Sequence, residues 1–298
     1  MRNWLKPEGV GASRIGIALG FLLLASCNDG AGREAAREDT LDPSVAHAQA
    51  TEYAGAGDPE RAVDILLPAL REHPDDPDLH FRLGYILRYA GLFDESIESY
   101  EAGLAADDSP QRQVSGEGQI AKSLIYMGRY DDALELQEGL RDHLEELGER
   151  PDEKMLFYEG VIHMYRGDAS RAIELFDEAE DTDPESLWTE FGRAYRDALN
   201  GDTASLRERA AELRSRDVAD GERHYRLVHL HSLADEPDEA LARLESALVA
   251  GFFAYPYVEE DPLLSDQVRK HPDFESVLGP LRARHEAFDA RIERADAH

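Results

Sequence analysis

The sequence predicts an all-α solenoid, built from short helices joined in antiparallel pairs and stacked one pair on the next. Three observations predict it. First, positions recur at a fixed distance: Gly57, Ala62, Ala69 and Pro74 return 34 residues later as Gly91, Ser96, Gly103 and Asp108, a period that belongs to helix-turn-helix arrays. Second, hydrophobic residues make up 42% of the chain and charged ones 32%, a balance that suits helices with one apolar stripe and one solvated face. Third, small residues sit at matching register in successive units, where they let paired helices approach while larger side chains fill the gap beside them. A single helix pair cannot dry its own apolar face, so neighbours must stack.

Taken in order, the units fall at about 43–76, 77–113, 114–151, 152–184, 185–218 and 219–251, the last two degenerate. Each turn explains a helix end. Gly91-Leu92-Phe93-Asp94-Glu95-Ser96 is echoed by Gly128-Arg129-Tyr130-Asp131-Asp132-Ala133 and Gly167-Asp168-Ala169-Ser170-Arg171-Ala172. In each, a glycine closes the first helix in the left-handed conformation, and an aspartate, serine or arginine stands at the entry of the second. Asn200-Gly201-Asp202 turns the fifth unit, and Asp235-Glu236-Pro237 turns the sixth without a glycine.

The helices carry a further signature. Trp188-x2-Phe191-Gly192-x2-Tyr195, with Phe191 in the place of the usual leucine, together with Leu83-Gly84, Ala172-x3-Phe176-x2-Ala179 and Asp183-Pro184, resembles the tetratricopeptide repeat over residues 43–251. The resemblance implies a right-handed α-solenoid whose concave face accepts an extended or helical peptide. Residues 252–298 contain Tyr255-Pro256-Tyr257, Asp261-Pro262-Leu263-Leu264 and His271-Pro272-Asp273-Phe274. They look like the closing segment of many bacterial tetratricopeptide proteins, including ones attached to signalling kinases and cyclases. That likeness implies a C-terminal helical cap, and the polar helix from Pro280 to about Ala295 suits the exposed end of a stack.

At the other end, Arg2, Lys6 and Arg14 precede the apolar run Ile15 to Leu24, followed by Ala25-Ser26-Cys27. This is the layout of a secretory signal peptide over residues 1–26. Roughly 12 helical residues cover only about 18 Å of a hydrocarbon core near 30 Å thick, so the run is expected to be cleaved rather than to span. Leu24-Ala25-Ser26-Cys27 resembles the lipobox of bacterial lipoproteins, which implies lipidation (diacylglycerol and palmitate-like chains) at Cys27, the only cysteine. The small, polar stretch 27–42 reads as a flexible tether. The expected location is the cell envelope, at the periplasmic face of the inner or outer membrane, with the lipid as the only membrane contact.

The chain holds 63 acidic and 32 basic residues, a formal charge of −31, which disfavours nucleic acid as a partner. The acids gather on the second helices, as in Asp94-Glu95, Glu98, Glu101, Asp131-Asp132, Glu135 and Glu138. The first helices differ. A stripe displaced from the packing stripe holds Phe81, Tyr85, Arg88, Tyr89, Lys122, Tyr126, Phe157, Tyr165, Arg193 and Arg196. Aromatics mixed with arginine make up the composition of a binding hot spot. These residues are expected to line a peptide-binding groove for a protein or peptide with aromatic, aliphatic or acidic anchors, although Phe81, Phe157, Tyr126 and Tyr165 serve equally well as packing between repeats. The asparagines of the family's carboxylate clamp are missing.

No nucleophile elbow, phosphate loop, dinucleotide fingerprint or His-Glu-x-x-His helix is present, so no catalytic residue, cofactor or metal is expected. Glu159 and His163 lie one turn apart and could pair in the core. His224, His229 and His231 lack a complete set of zinc ligands. The sequence therefore reads as an envelope scaffold. A small-ligand-binding protein or hydrolase, the alternative, requires a deep pocket with convergent polar groups.

Overall fold

The computed structural model describes residues 42–216 and 220–296. The expected signal peptide, Cys27 and, apart from Asp42, the tether lie outside the described residues. Among the described residues the chain is all helical, and no helix is long and apolar enough to cross a membrane.

Six antiparallel pairs follow one another: α1 (Pro43–Gly55) with α2 (Pro59–Glu72), α3 (Pro77–Ala90) with α4 (Phe93–Ala106), α5 (Pro110–Tyr126) with α6 (Tyr130–Leu147), α7 (Glu153–Tyr165) with α8 (Ala169–Thr182), α9 (Leu187–Leu199) with α10 (Thr203–Ser215), and α11 (Gly221–Leu233) with α12 (Pro237–Val249). The short α13 (Tyr255–Glu260) and α14 (Asp266–Arg269) lead to the long α15 (Phe274–Asp296). Each first helix touches its own partner and the first helices of its neighbours, α1 on α3, α3 on α5, and so on to α11, which is the layering of a tetratricopeptide-like solenoid.

Local chemistry explains the helix ends. Aspartates at positions 58, 76, 152, 168, 202 and 220 accept a hydrogen bond from the backbone N–H three residues on, at 2.7–3.2 Å, satisfying one of the donors each helix start leaves open. In the Gly91 and Gly128 turns the caps are Leu92 and Arg129, with no side-chain bond; the acids that follow lie one or two positions inside the helix. Gly91, Gly128, Gly167 and Gly201 all have φ between +71° and +85°. The sixth turn puts Asp235 in that conformation, φ 58°, where an aspartate is tolerated better than a branched residue.

The core follows the small residues. The ring of Tyr100 lies over Gly84 and that of Phe176 over Gly160, so close that a methyl group at Gly160 would collide with the ring and one at Gly84 would press against it. Phe157 stands at the centre of an aromatic cluster with Phe176, Trp188, Phe191 and Tyr195, centroids 5.3–6.4 Å away.

The stack closes on itself, which the periodicity did not indicate. The end of α12 and the residues after it meet the turns of the first two repeats. Val249 O sits where a Cβ on Gly57 would be only 2.2 Å from it, and the Phe253 N–H donates to Tyr89 O at 2.9 Å. From α15, Arg284 donates to both carboxylate oxygens of Glu60, at 2.8 and 2.9 Å, and to Gly57 O at 2.7 Å. Arg291 reaches Asp64 at 2.6 Å. The final helix therefore does more than cover the last repeat, since it fastens the last repeat to the first.

Candidate ligand-binding interior

Closure puts α11 and the segment after α12 inside the curve of α3, α5 and α7, where an open groove was expected. Glu222 on α11 is the hub. Arg88 of α3 reaches its two oxygens at 3.2 and 3.3 Å, Tyr126 of α5 donates a short bond, Tyr158 of α7 donates at 3.1 Å, and Arg226 lies at 3.7 Å. Arg88 and Arg226 are each 1% exposed. Burial alone would raise the Glu222 carboxyl, but Arg88, Lys122 and Arg226 override it and hold the group ionised far below the ordinary range. Beside this hub Asp220 accepts from Tyr89 at 2.8 Å and from Tyr85 at 3.3 Å.

A second buried network lies deeper. Asp261 accepts from His229 Nε2 at 2.6 Å and from Tyr225 at 2.7 Å, while His229 Nδ1 and the Tyr195 hydroxyl are 2.8 Å apart. Burial pushes His229 down, against the pull of Asp261, and Asp261 stays ionised because His229 and Tyr225 outweigh its own burial. His229 thus bridges the Asp261 carboxylate and the Tyr195 hydroxyl. Tyr257 of α13 and Tyr165 of α7 extend it, their oxygens 2.6 Å apart. His229 and Asp261 are fully enclosed, so this chain of groups ties α7, α9, α11 and α13 together and offers no approach to a substrate.

The expected groove residues therefore divide. Arg88, Tyr89, Tyr126 and Tyr165 are buried against the chain's own α11 and the segment after α12, and Tyr85 is half-buried beside them. Phe157 is wholly internal packing. Phe81 turns toward α4, edge-on to Tyr100 at 5.5 Å. Arg193 and Arg196 bring no free charge to a groove: Arg193 pairs with Glu180 and Glu190 at 3.0 and 2.6 Å, and Arg196 pairs with Asp177 and, at 2.9 Å, with Glu180. Glu159 and His163 do not pair with each other. Glu159 accepts from Arg141 at 2.8 Å, and His163 lies 3.6 Å from Asp168. His229 pairs with Asp261 and His231 with Glu236, His224 Nδ1 has no hydrogen-bond partner among the described residues, and no group of three metal-ligating side chains occurs among them.

Lys122 remains open to a ligand. It lines a 370 Å³ cleft between α5, α6 and α7, together with Gln119, Gln137, Leu140, Met155 and Tyr158. Its ammonium lies 4.2 Å from the Tyr158 ring centre and 5.7 Å from that of Trp188. Lys154 and Arg223 approach the same indole at 5.7 and 5.8 Å. Trp188 is only half-buried, so three cations surround an accessible aromatic face. Sequence reasoning placed Lys122 in the groove but took Trp188 as a packing residue only, and it missed Glu222, Arg226, Asp261 and Gln137. The pairing of the first three across the curve depends on closure, for which spacing along the chain holds no signal.

Comparison with known proteins bears on the fold. No curated protein matches the sequence. Among solved structures, MamA residues 41 to the end from Desulfovibrio magneticus RS-1 is similar at 18% identity, covering 61% of this chain and all of that one, with a TM-score of 0.44. A tetratricopeptide repeat protein from Parabacteroides merdae aligns at 16% identity over 82% of this chain and 98% of its own, TM-score 0.45. YrrB, described as a tetratricopeptide protein with an unusual peptide-binding site, aligns at 13% over 67% and 95%, TM-score 0.35. The family model for the tetratricopeptide repeat matches residues 47–110 and 119–186, the stretches that hold α1 to α4 and α5 to α8. Over these two stretches the chain carries tetratricopeptide repeats, and the helix pairs that follow them continue the same stack.

Proposed function

We propose that the chain is a scaffold of the bacterial cell envelope, tethered through a lipid on Cys27, that holds a protein partner at the aromatic and basic rim around Trp188. The observation that carries this reading is the half-buried indole ringed by Lys122, Lys154 and Arg223 in a chain of net charge −31. Aromatic and cationic side chains clustered on one patch are the usual anchors of an interface. The surface elsewhere is acidic: Asp94, Glu95, Glu98, Asp131 and Asp132 on the second helices are all exposed. A partner with an apolar anchor and nearby carboxylates fits the rim and is repelled by the rest.

The lipid supports the tether rather than the recognition. A segment resembling a signal peptide ends at the single cysteine of the chain, and several acyl chains make a stable anchor. The test separates the two. Tagged full-length chain is cross-linked in intact cells and purified from envelopes beside Trp188→Ala with Arg223→Glu, and beside Cys27→Ser. The rim variant is expected to stay in the membrane fraction and lose the captured protein, while Cys27→Ser leaves the membrane fraction and keeps it. Capture of the same proteins by wild type and rim variant would overturn the reading.

A further inference from the structure

Two buried residues of the α5–α6–α7 cleft have side-chain polar groups without a hydrogen-bond partner among the described residues. Lys122 is 5% exposed and makes no hydrogen bond or ion pair among the described residues; its contacts are the faces of Tyr158 and Trp188. Gln137, on α6, is 3% exposed, and its side-chain oxygen has no donor. Buried polar groups are nearly always satisfied, so a donor and an acceptor left open on one cleft define the ligand by its complement. The ammonium calls for an anion, and the amide oxygen calls for an N–H or O–H on the same molecule.

The remaining walls narrow the choice. Leu140, Leu144 and Met155 present aliphatic surface, and Tyr158 presents a ring. The charged residues that complete the lining, Glu149, Arg150, Asp152 and Lys154, are exposed or half-buried and carry both signs, which leaves Lys122 as the buried cation. One buried ammonium beside an apolar wall matches a monoanion with a hydrocarbon body and not a phosphate, which is more highly charged and lacks such a body. A volume of 370 Å³ falls at the small end of small-molecule sites and is too narrow for a folded partner. We propose that this cleft binds a small aliphatic carboxylate that also carries a hydrogen-bond donor, an amino- or hydroxycarboxylate of amino-acid size. The carboxylate sits on Lys122 and the donor on Gln137. This goes beyond the scaffold reading and does not depend on it.

Charge supports the same arrangement. Burial pushes the Lys122 ammonium well below its ordinary value; Glu222 pulls it back up, and Arg88, Lys154 and Arg226 push it further down. A bound carboxylate favours the charged form, so binding takes up protons from solution where the free lysine is partly neutral.

The test is calorimetric titration of the full-length chain with two- to six-carbon amino- and hydroxycarboxylates, L-leucine and 2-hydroxy-4-methylpentanoate among them. 4-Methylpentanoate lacks the donor, 3-methylbutylamine lacks the carboxylate, and inorganic phosphate lacks the hydrocarbon. At least one amino- or hydroxycarboxylate is expected to bind, with the three controls weaker by about tenfold or more. Lys122→Met and Gln137→Leu should each weaken binding by about tenfold or more while keeping the helical circular dichroism. The Gln137 variant, which leaves every charge in place, decides the matter should Lys122→Met fail to fold. Absence of binding by the whole panel at millimolar concentration, phosphate binding as tightly as any carboxylate, or binding unchanged in Gln137→Leu would each overturn the proposal.

Discussion

At the scale of single residues, the interior is held by charges that no helix pair could bury alone. Glu222 is the clearest case, because its carboxylate joins α3, α5, α7 and α11 through Arg88, Tyr126, Tyr158 and Arg226. Removing one member of such a set leaves the others buried and uncompensated, which costs about 3–5 kcal/mol. Glu222→Gln should therefore lower stability by about that amount in urea unfolding at pH 7. The pH dependence follows from the direction of the shift. A carboxyl held below its unfolded value of about 4.5 contributes stability that is full above that value and is lost as pH falls toward the folded one. Wild type should lose stability steeply below pH 4.5, and the Gln variant, already lacking this contribution, should lose less over the same interval. Parallel acid limbs for the two proteins would count against the assignment. Little of this was legible in the sequence. Arg88, Lys122 and Tyr126 stood out as aromatic and basic residues on one stripe, but the carboxylate they serve lies about a hundred positions or more further on.

At the scale of elements, the repeats were legible because their determinants are local. A small residue opposite a ring, a left-handed glycine and an aspartate cap all fall within one unit, so spacing alone reveals them. The same locality hid a second role for some turns. Gly128 and Gly167 have φ +71° and +79°, with open space where a Cβ would go. Gly57, at φ +75°, would carry a Cβ 2.2 Å from Val249 O. Gly128→Ala should cost about 1–2 kcal/mol, the strain of the left-handed conformation alone. Gly57→Ala adds displacement of α12 from the first repeat and should cost clearly more, with faster amide exchange in α1, α2 and the part of α15 that holds Arg284 and Arg291. Equal melting temperatures for the two variants would show that the Gly57 contact has no energetic weight. Asp235, in the left-handed turn without glycine, offers the reverse experiment. Asp235→Gly should relieve strain and be neutral or stabilising, provided that the 3.1 Å bond from Gln267 to Asp235 is worth less than the strain.

At the scale of the whole folded stack, the central property is that a solenoid of six pairs closes before its groove can open. The fold class was plain from periodicity, yet the state of the concave face was not. The curvature of a stack is the sum of small rotations between repeats, and a sum of small angles has no signature at any one position. Closure brings the acidic α2 against the basic edge of α15, where Arg284 meets Glu60 and Arg291 meets Asp64. These partly exposed pairs bring modest energy each, but they fix the register in which the last repeat enters the curve. Closure buries Tyr89 and Tyr126, so the proposed recognition moves to the rim at Trp188 and to the cleft lined by Lys122.

The most direct test of that closure is a distance between its two ends. In a Cys27→Ser background, Asp64→Cys and Arg291→Cys place thiols on the two backbones whose carboxylate and guanidinium now meet at 2.6 Å, separated by about the reach of the lost arginine side chain, and leave the Arg284 pair intact. A short bifunctional thiol reagent should join them rapidly within one chain, giving a product of monomer mass with α2 peptides linked to α15 peptides. Two singly modified thiols, or links formed only between chains, would mean that the stack stands open and that its concave face is free.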